Sequence, residues 1–162
     1  MTEQAQTFAL RLATADDLPL IVIQRRAMFE DMGIRDRAAL DEMNVAFADW
    51  MKGRIESGEY RGWFVTDNQG RVLAGAGLWL QESLPSHRDP STQRAYVMNV
   101  YTGPDYRRQG HARRLMDAVM AYVRDQGIRT VVLHASDAGR ALYESFGFQQ
   151  TNEMRMVLPP NE

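Results

Sequence analysis

The chain has no cysteine among its 162 residues. That removes disulfides, thiolate metal sites and any catalytic route through an enzyme thioester, and it agrees with a reducing compartment. A cationic excess is missing too: 19 Lys and Arg stand against 21 Asp and Glu, a formal net charge of -2. No global positive field draws such a chain to nucleic acid or an anionic membrane, and neither is expected as a partner. Apolar runs such as Leu18 to Ile23 fall far short of the ~20 residues that span a bilayer. The start "MTEQAQTFALRLATADD" lacks the charged head and apolar block of a secretory signal, so the expected location is cytoplasmic. Two phosphate-binding loops are also absent: no GxxxxGK followed by Ser or Thr, and no GxGxxG near the N-terminus.

What is present is the composition of one soluble globular domain covering residues 1–162, with 44% hydrophobic and 25% charged residues. "TFALRLA" alternates like a strand, and Thr14 with Asp17 offers a helix start. Helical spacing predicts a helix from Asp17 to about Met32, with Leu20, Ile23, Ala27 and Met28 on its inner face, and a second over Ala38 to Ile55. "GWFVT" and "RVLAGAGLWLQ" flank "DNQG" as a hairpin. "ESLPSHRDPSTQR" reads as an exposed loop, and "AYVMNVYT" as the next strand. His111 to Val123 carries an apolar stripe that stops at Gly127; "RTVVLHA" is a strand, "DAGRALYESFGF" a short helix and "QQTNEMRMVL" a last strand. The order β, α, α, β, β, β, α, β, α, β is an α/β arrangement, with parallel strands around helices 111–126 and 137–146. Met28, Met32, Met51 and Met98 are expected as core filling.

The stretch "VYTGPDYRRQGHARRLM" places Gly110 where the third helix begins. A helix's first amides have no intrahelical partner and sit at the positive end of its dipole, so that end accepts anions. Glycine there lets a ligand approach the backbone, while Arg107, Arg108, Arg113 and Arg114 add charge around the amides of Gln109, Gly110, His111 and Ala112. The guest this suggests is a phosphate or pyrophosphate.

"RRQGHA", Arg107 to Ala112, resembles the Q/R-x-x-G-x-G/A signature of the GNAT superfamily of N-acetyltransferases, and "ALYESFGF", Ala141 to Phe148, is similar to the family's LYxxxGF ending. The resemblance implies the GNAT fold: a mixed central sheet of about seven strands, splayed between strands four and five, flanked by about four helices. It implies acetyl-CoA as co-substrate, its pyrophosphate held by amides of Arg108 to Arg113 and its pantetheine arm paired with the backbone of Val100, Tyr101 and Thr102. It makes Tyr143 the general acid toward the CoA sulfur, Val100 N–H the polarising donor, and Ser136 a weaker contact where many relatives carry asparagine. No metal is expected. Relatives place a glutamate base where this chain has Tyr96 or Val131, which leaves Glu82, His134 or a water chain, with His87 and Asp89 behind them.

The acceptor pocket implied by the resemblance is built from "RAMFEDMG", Trp50, "LWLQESLPSHRDP" and "TNEMRM", where Glu30, Asp31, Glu82 and Glu153 could make an acidic site for a cationic amine. The reading is an acetyl-CoA-dependent N-acetyltransferase acting on a primary amine of a small molecule by direct attack in a ternary complex. Its alternatives are a peptide N-terminus or lysine as acceptor, or a non-catalytic acyl-CoA sensor. A homodimer is an expected option, dimers being frequent among such relatives.

Overall fold

A computed structural model describes residues 6–161. Five strands form one sheet in the order β1-β2-β3-β4-β5: β1 (Ala9–Leu12), β2 (Tyr60–Thr66), β3 (Val72–Glu82), β4 (Gln93–Thr102) and β5 (Val131–Leu133). Adjacent strands among the first four are antiparallel; β4 and β5 are parallel across the helical crossover between them. The helices are α1 (Leu18–Asp31), α2 (Arg37–Met51), the single turn α3 (Arg54–Ser57), α4 (His111–Asp125) and α5 (Arg140–Ser145).

Alternation along the strands divides the core in two. Trp63, Val65, Ala74, Ala76, Leu78, Ala95 and Val97 face α4, whose stripe of Leu115, Met116, Val119 and Val123 is almost wholly enclosed. Each such side chain contributes up to about 1.5–3 kcal/mol on burial. The opposite face of the sheet, with Tyr60 and Phe64, packs against Ile21, Phe47 and Met51 of α1 and α2. The same alternation leaves Trp79, Tyr96 and Met98 on the α1–α2 side. The hairpin turns through "DNQG", with Gly70 at φ 77° and the Asp67 carboxylate accepting the amides of Gln69 and Arg71.

Several expectations are corrected. The sheet has five strands among the described residues, not about seven, and residues 149–161 form neither helix nor strand, so the last strand and its parallel crossover are absent there. The second helix does not run to Ile55: Gly53, at φ 76°, breaks it after Met51 and a separate turn follows. On α1 the enclosed residues are Ile21 and Gln24, whereas Ile23 is exposed. Met51 is enclosed and Met98 packs against the core, but Met32 is exposed.

Candidate functional site

Strands β4 and β5 pair only at Ala95, Tyr96 and Val97. From Met98 to Thr102, β4 continues with no strand on its β5 side, an open edge inside the sheet. On its other side the register with β3 passes from Met98 to Tyr101, so Asn99 and Val100 form an irregularity. Asn99 holds it at φ 57°, a backbone region that asparagine tolerates better than most residues. Its buried amide group accepts from Arg25 Nη1 at 2.8 Å and donates to the Tyr60 hydroxyl at 3.4 Å.

Beyond Thr102 the chain makes one 3-10 turn, Pro104–Tyr106, and enters α4. Gly110 is the helix N-cap at φ 80° and has no side chain to cap the first turn. The Arg114 amide reaches the Gly110 carbonyl, which leaves those of Gly110, His111, Ala112 and Arg113 without intrahelical acceptors. Arg108, just before them, also stands at positive φ, 61°. Backbone amides without intrahelical acceptors at a helix dipole's positive end suit a pyrophosphate.

The arginines are less free than the sequence suggests. Arg107 donates to the Thr102 carbonyl and pairs with Asp31; Arg113 donates to the Ser145 hydroxyl and lies over the Phe146 ring. Arg114 reaches the Gln109 carbonyl and His111 Nδ1. Arg108 makes no side-chain hydrogen bond or ion pair with the described residues. The His111 imidazole is turned inward, 4.6 Å from the Phe8 ring, and burial first, then Arg114, holds its pKa below the usual value. The His111 side chain is therefore turned away from any ligand at this turn.

Helix α5 brings Tyr143 into the core beside Phe148, and burial pushes its phenol above the ordinary value. The Ser136 hydroxyl accepts the Gly139 amide at 3.2 Å, starting that helix, so its oxygen is already partly used. An added Cβ on Gly139 would stand 2.8 Å from the Tyr143 ring and 3.3 Å from Ser136 Oγ, which shows how closely these three meet.

Under the α1–α2 face lies a cleft of about 580 Å³, lined by Arg25, Met43, Ala46, Phe47, Trp50, Trp79, Tyr96, Met98 and His134. Its walls are aromatic: Phe47 stacks on Trp50, and Trp79 meets Trp50 and Tyr96 edge-on. The Tyr96 hydroxyl is 2.7 Å from His134 Nδ1, and Arg155 Nη2 donates to His134 Nε2 at 2.9 Å. The acidic pocket expected from the sequence is not this cleft. Glu30 pairs with Arg26, Asp31 with Arg107, and neither Glu82 nor Glu153 lines it. Asp89 is buried and structural, accepting from the Ser91 amide and the Thr130 hydroxyl. His87 is exposed on the same loop.

Sequence reasoning named Trp50, Tyr96 and His134 but missed Arg25, Phe47 as a cleft wall, and Asn99. The available signal for Arg25 was its place four residues after Ile21, on the inner face of α1, where a charged residue is unusual. Among the described residues no group of three or more His, Asp or Glu could hold a metal, and no helix is long and apolar enough to cross a membrane.

A mixed sheet parted beside a parallel crossover, with an uncapped helix start at the parting strand's carboxyl end, defines an acyltransferase fold of the α/β class. The chain belongs to the acetyltransferase (GNAT) family, whose model matches residues 25–148. It is similar over 94% of its length, at 35% identity and a TM-score of 0.89, to 99% of a GCN5-related N-acetyltransferase from Ralstonia eutropha JMP134. At 23% identity and a TM-score of 0.85, covering 94% of this chain and 96% of the other, it shares its fold with a predicted acetyltransferase solved with acetyl-CoA from Clostridium acetobutylicum. Among curated relatives, ribosomal protein bS18-alanine N-acetyltransferase of Escherichia coli K12 is 35% identical over 71 residues, 42% of this chain and 48% of that protein. The chain thus matches about half the length of that relative.

Proposed function

We propose that this chain, as one N-acetyltransferase domain, transfers the acetyl group of acetyl-CoA to a primary amine of a small molecule by direct attack within a ternary complex. The observation that carries this reading is the unpaired main chain of β4 from Met98 to Thr102, followed by the uncapped first turn of α4. Val100, Tyr101 and Thr102 supply backbone groups for an extended arm, as an added strand would use them. The amides of Arg108, Gln109, Gly110, His111, Ala112 and Arg113 face the phosphates, with Arg107 bracing the loop against Thr102. Val100 N–H polarises the acetyl carbonyl, and Ser136 retains its hydroxyl proton as a donor to the cofactor.

Acetyl-CoA brings the thioester; the chain's residues move the protons. Tyr143 keeps its phenolic proton because burial raises its pKa, and it delivers that proton to the departing thiolate. Of the bases considered from the sequence, His134 lines the cleft, within hydrogen-bond reach of Tyr96. The Tyr96 phenol takes a proton from the amine as it passes its own to His134 Nδ1. That direction requires Nδ1 to be bare. Arg155, donating to Nε2, favours the opposite tautomer and must turn away first.

A peptide N-terminus as acceptor is the second reading, favoured by the likeness to the ribosomal protein alanine acetyltransferase. Thiol release from acetyl-CoA over a panel of small amines and peptides tests both. Turnover with small amines is the expected result, and turnover with peptides alone would replace the first reading with the second. Binding of acetyl-CoA without any thiol release would make the chain a sensor.

A further inference from the structure

We propose that the acceptor is an amine that also carries a carboxylate beside an aromatic or apolar side group, as an amino acid does, and that Arg25 in the aromatic cleft is the residue that recognises the acid. This rests on the acetyltransferase reading above and names the substrate class of that site.

The cleft's volume, about 580 Å³, is that of a small-molecule site, and its walls are mostly flat rings. One cation stands in the wall. The Arg25 guanidinium lies 4.7 Å from the Phe47 ring centre and 5.0 Å from that of Phe29. Its Nη1 donates to Asn99, its enclosed Nε has no partner, and Nη2 has none either but is not enclosed. Among the described residues no carboxylate pairs with it. Burial pulls its pKa down, so the protein tolerates a partly desolvated charge with its counter-ion missing. Such a charge is expensive to leave unpaired and would gain most from a carboxylate delivered by the ligand.

The surrounding charges point the same way. Tyr96, which also lines the cleft, has Arg25, Arg155 and Arg94 and the carboxylate Glu153 among the charges that act on it. Glu59, which reaches the aromatic wall at Trp79, is engaged by Arg54 and by Trp79 Nε1. A polycationic acceptor would meet Arg25 in a cleft whose lining includes no carboxylate. A carboxylated amine would place its acid on Arg25, its side group between Phe47, Trp50 and Trp79, and its amino group toward Tyr96. In the transfer, nitrogen bonds to the acetyl carbon as the carbon–sulfur bond breaks; one amine proton leaves through Tyr96 and the thiolate takes the Tyr143 proton.

Trp50 and Trp79 report occupancy, so the test is a fluorescence titration of the whole protein with N-acetylphenylalanine and with its uncharged amide, beside acetyl-CoA calorimetry and thiol release with phenylalanine and phenylethylamine. The expected result is binding of the acid at least about tenfold tighter than the amide, the factor that 1.4 kcal/mol represents. Arg25→Met should erase that preference and Arg25→Lys should retain part of it. Equal or tighter binding of the amide, or no binding of either, overturns the proposal using the parent protein alone. Acetyl-CoA turnover that favours phenylethylamine overturns it while leaving the acetyltransferase reading intact. Acid-selective binding without acetyl-CoA binding sinks that reading but upholds the acid site.

Discussion

Arg25 on α1 donates from Nη1 to Asn99 Oδ1 at 2.8 Å, across 74 residues of sequence, and so ties a helix to the one irregular point of β4. The contact joins two needs. Asn99 holds φ 57° where the register of β4 with β3 shifts, and its amide must be satisfied because the residue is buried. Asn99→Gly keeps the backbone freedom but loses both side-chain bonds, and Asn99→Ala adds the strain of a left-handed Cβ. Denaturant midpoints should therefore rank parent, Gly, Ala, with about 1 kcal/mol between the last two. Equal stability of the two variants would mean that the backbone at Asn99 is not strained.

Tyr60, behind Asn99, is wholly enclosed, and burial pushes its phenol up to about 12. A folded value above the unfolded one, about 10, means that the native state holds the proton more tightly. Its stabilising share is full below pH 10 and is lost as pH rises toward 12, on the order of 3 kcal/mol over those two units. Unfolding by urea at pH 8, 10 and 11.5 should show this loss, and Tyr60→Phe should flatten it. An unchanged slope in the variant would assign the alkaline loss to other groups.

Legibility of the fold followed how strongly each segment's pattern depends on itself. On α4, Leu115, Met116, Val119 and Val123 repeat at three and four with a glycine stop, and they became one enclosed stripe. On α1 the phase was illegible, because Leu18, Leu20, Ile21, Val22 and Ile23 surround the first turns with apolar residues and no single face stands out. The last strand was misread for a different reason. Met154, Met156 and Leu158 alternate as a strand does, yet they remain highly exposed, since a strand exists only against a neighbour. Of the site, the glycine at the helix start was visible because backbone strain selects residue type. The parting of β4 from β5 and the aromatic cleft were not, since both arise from residues brought together by the sheet.

Gly110→Ala separates the helix start's structural role from its binding role. An added Cβ meets nothing within 4 Å, so the only cost to the free protein is the left-handed φ, about 1–2 kcal/mol. Gly110→Asn, which tolerates that φ, should melt close to the parent. Both should lose about tenfold or more in acetyl-CoA affinity by calorimetry, because either side chain crowds the amides. Parent-like affinity in both would move the phosphates elsewhere.

His134 and Arg155 make opposite predictions from one hydrogen-bonded pair. His134→Gln should lower turnover by about a hundredfold or more, the usual range for a proton acceptor, with little change in acetyl-CoA binding. Arg155→Ala removes the donor to Nε2, releases the tautomer that can accept at Nδ1, and should raise turnover with the same acceptor. A fall in the Arg155 variant would argue that the arginine orients His134 instead of restraining it.

Tyr143 provides the sharpest division between binding and chemistry. Its ring is enclosed against Phe148, so Tyr143→Phe preserves the packing and removes only the hydroxyl. If that hydroxyl protonates the leaving thiolate, kcat should fall by about a hundredfold while the calorimetric Kd for acetyl-CoA stays within about twofold. The pH profile adds a second constraint. Burial raises the phenol above its ordinary value near 10, so the proton needed for departure remains in place through neutral and mildly alkaline solution. The parent's kcat should show no loss from this group below pH 10. Parent-like turnover in the variant would remove Tyr143 from the chemistry and leave it a core residue.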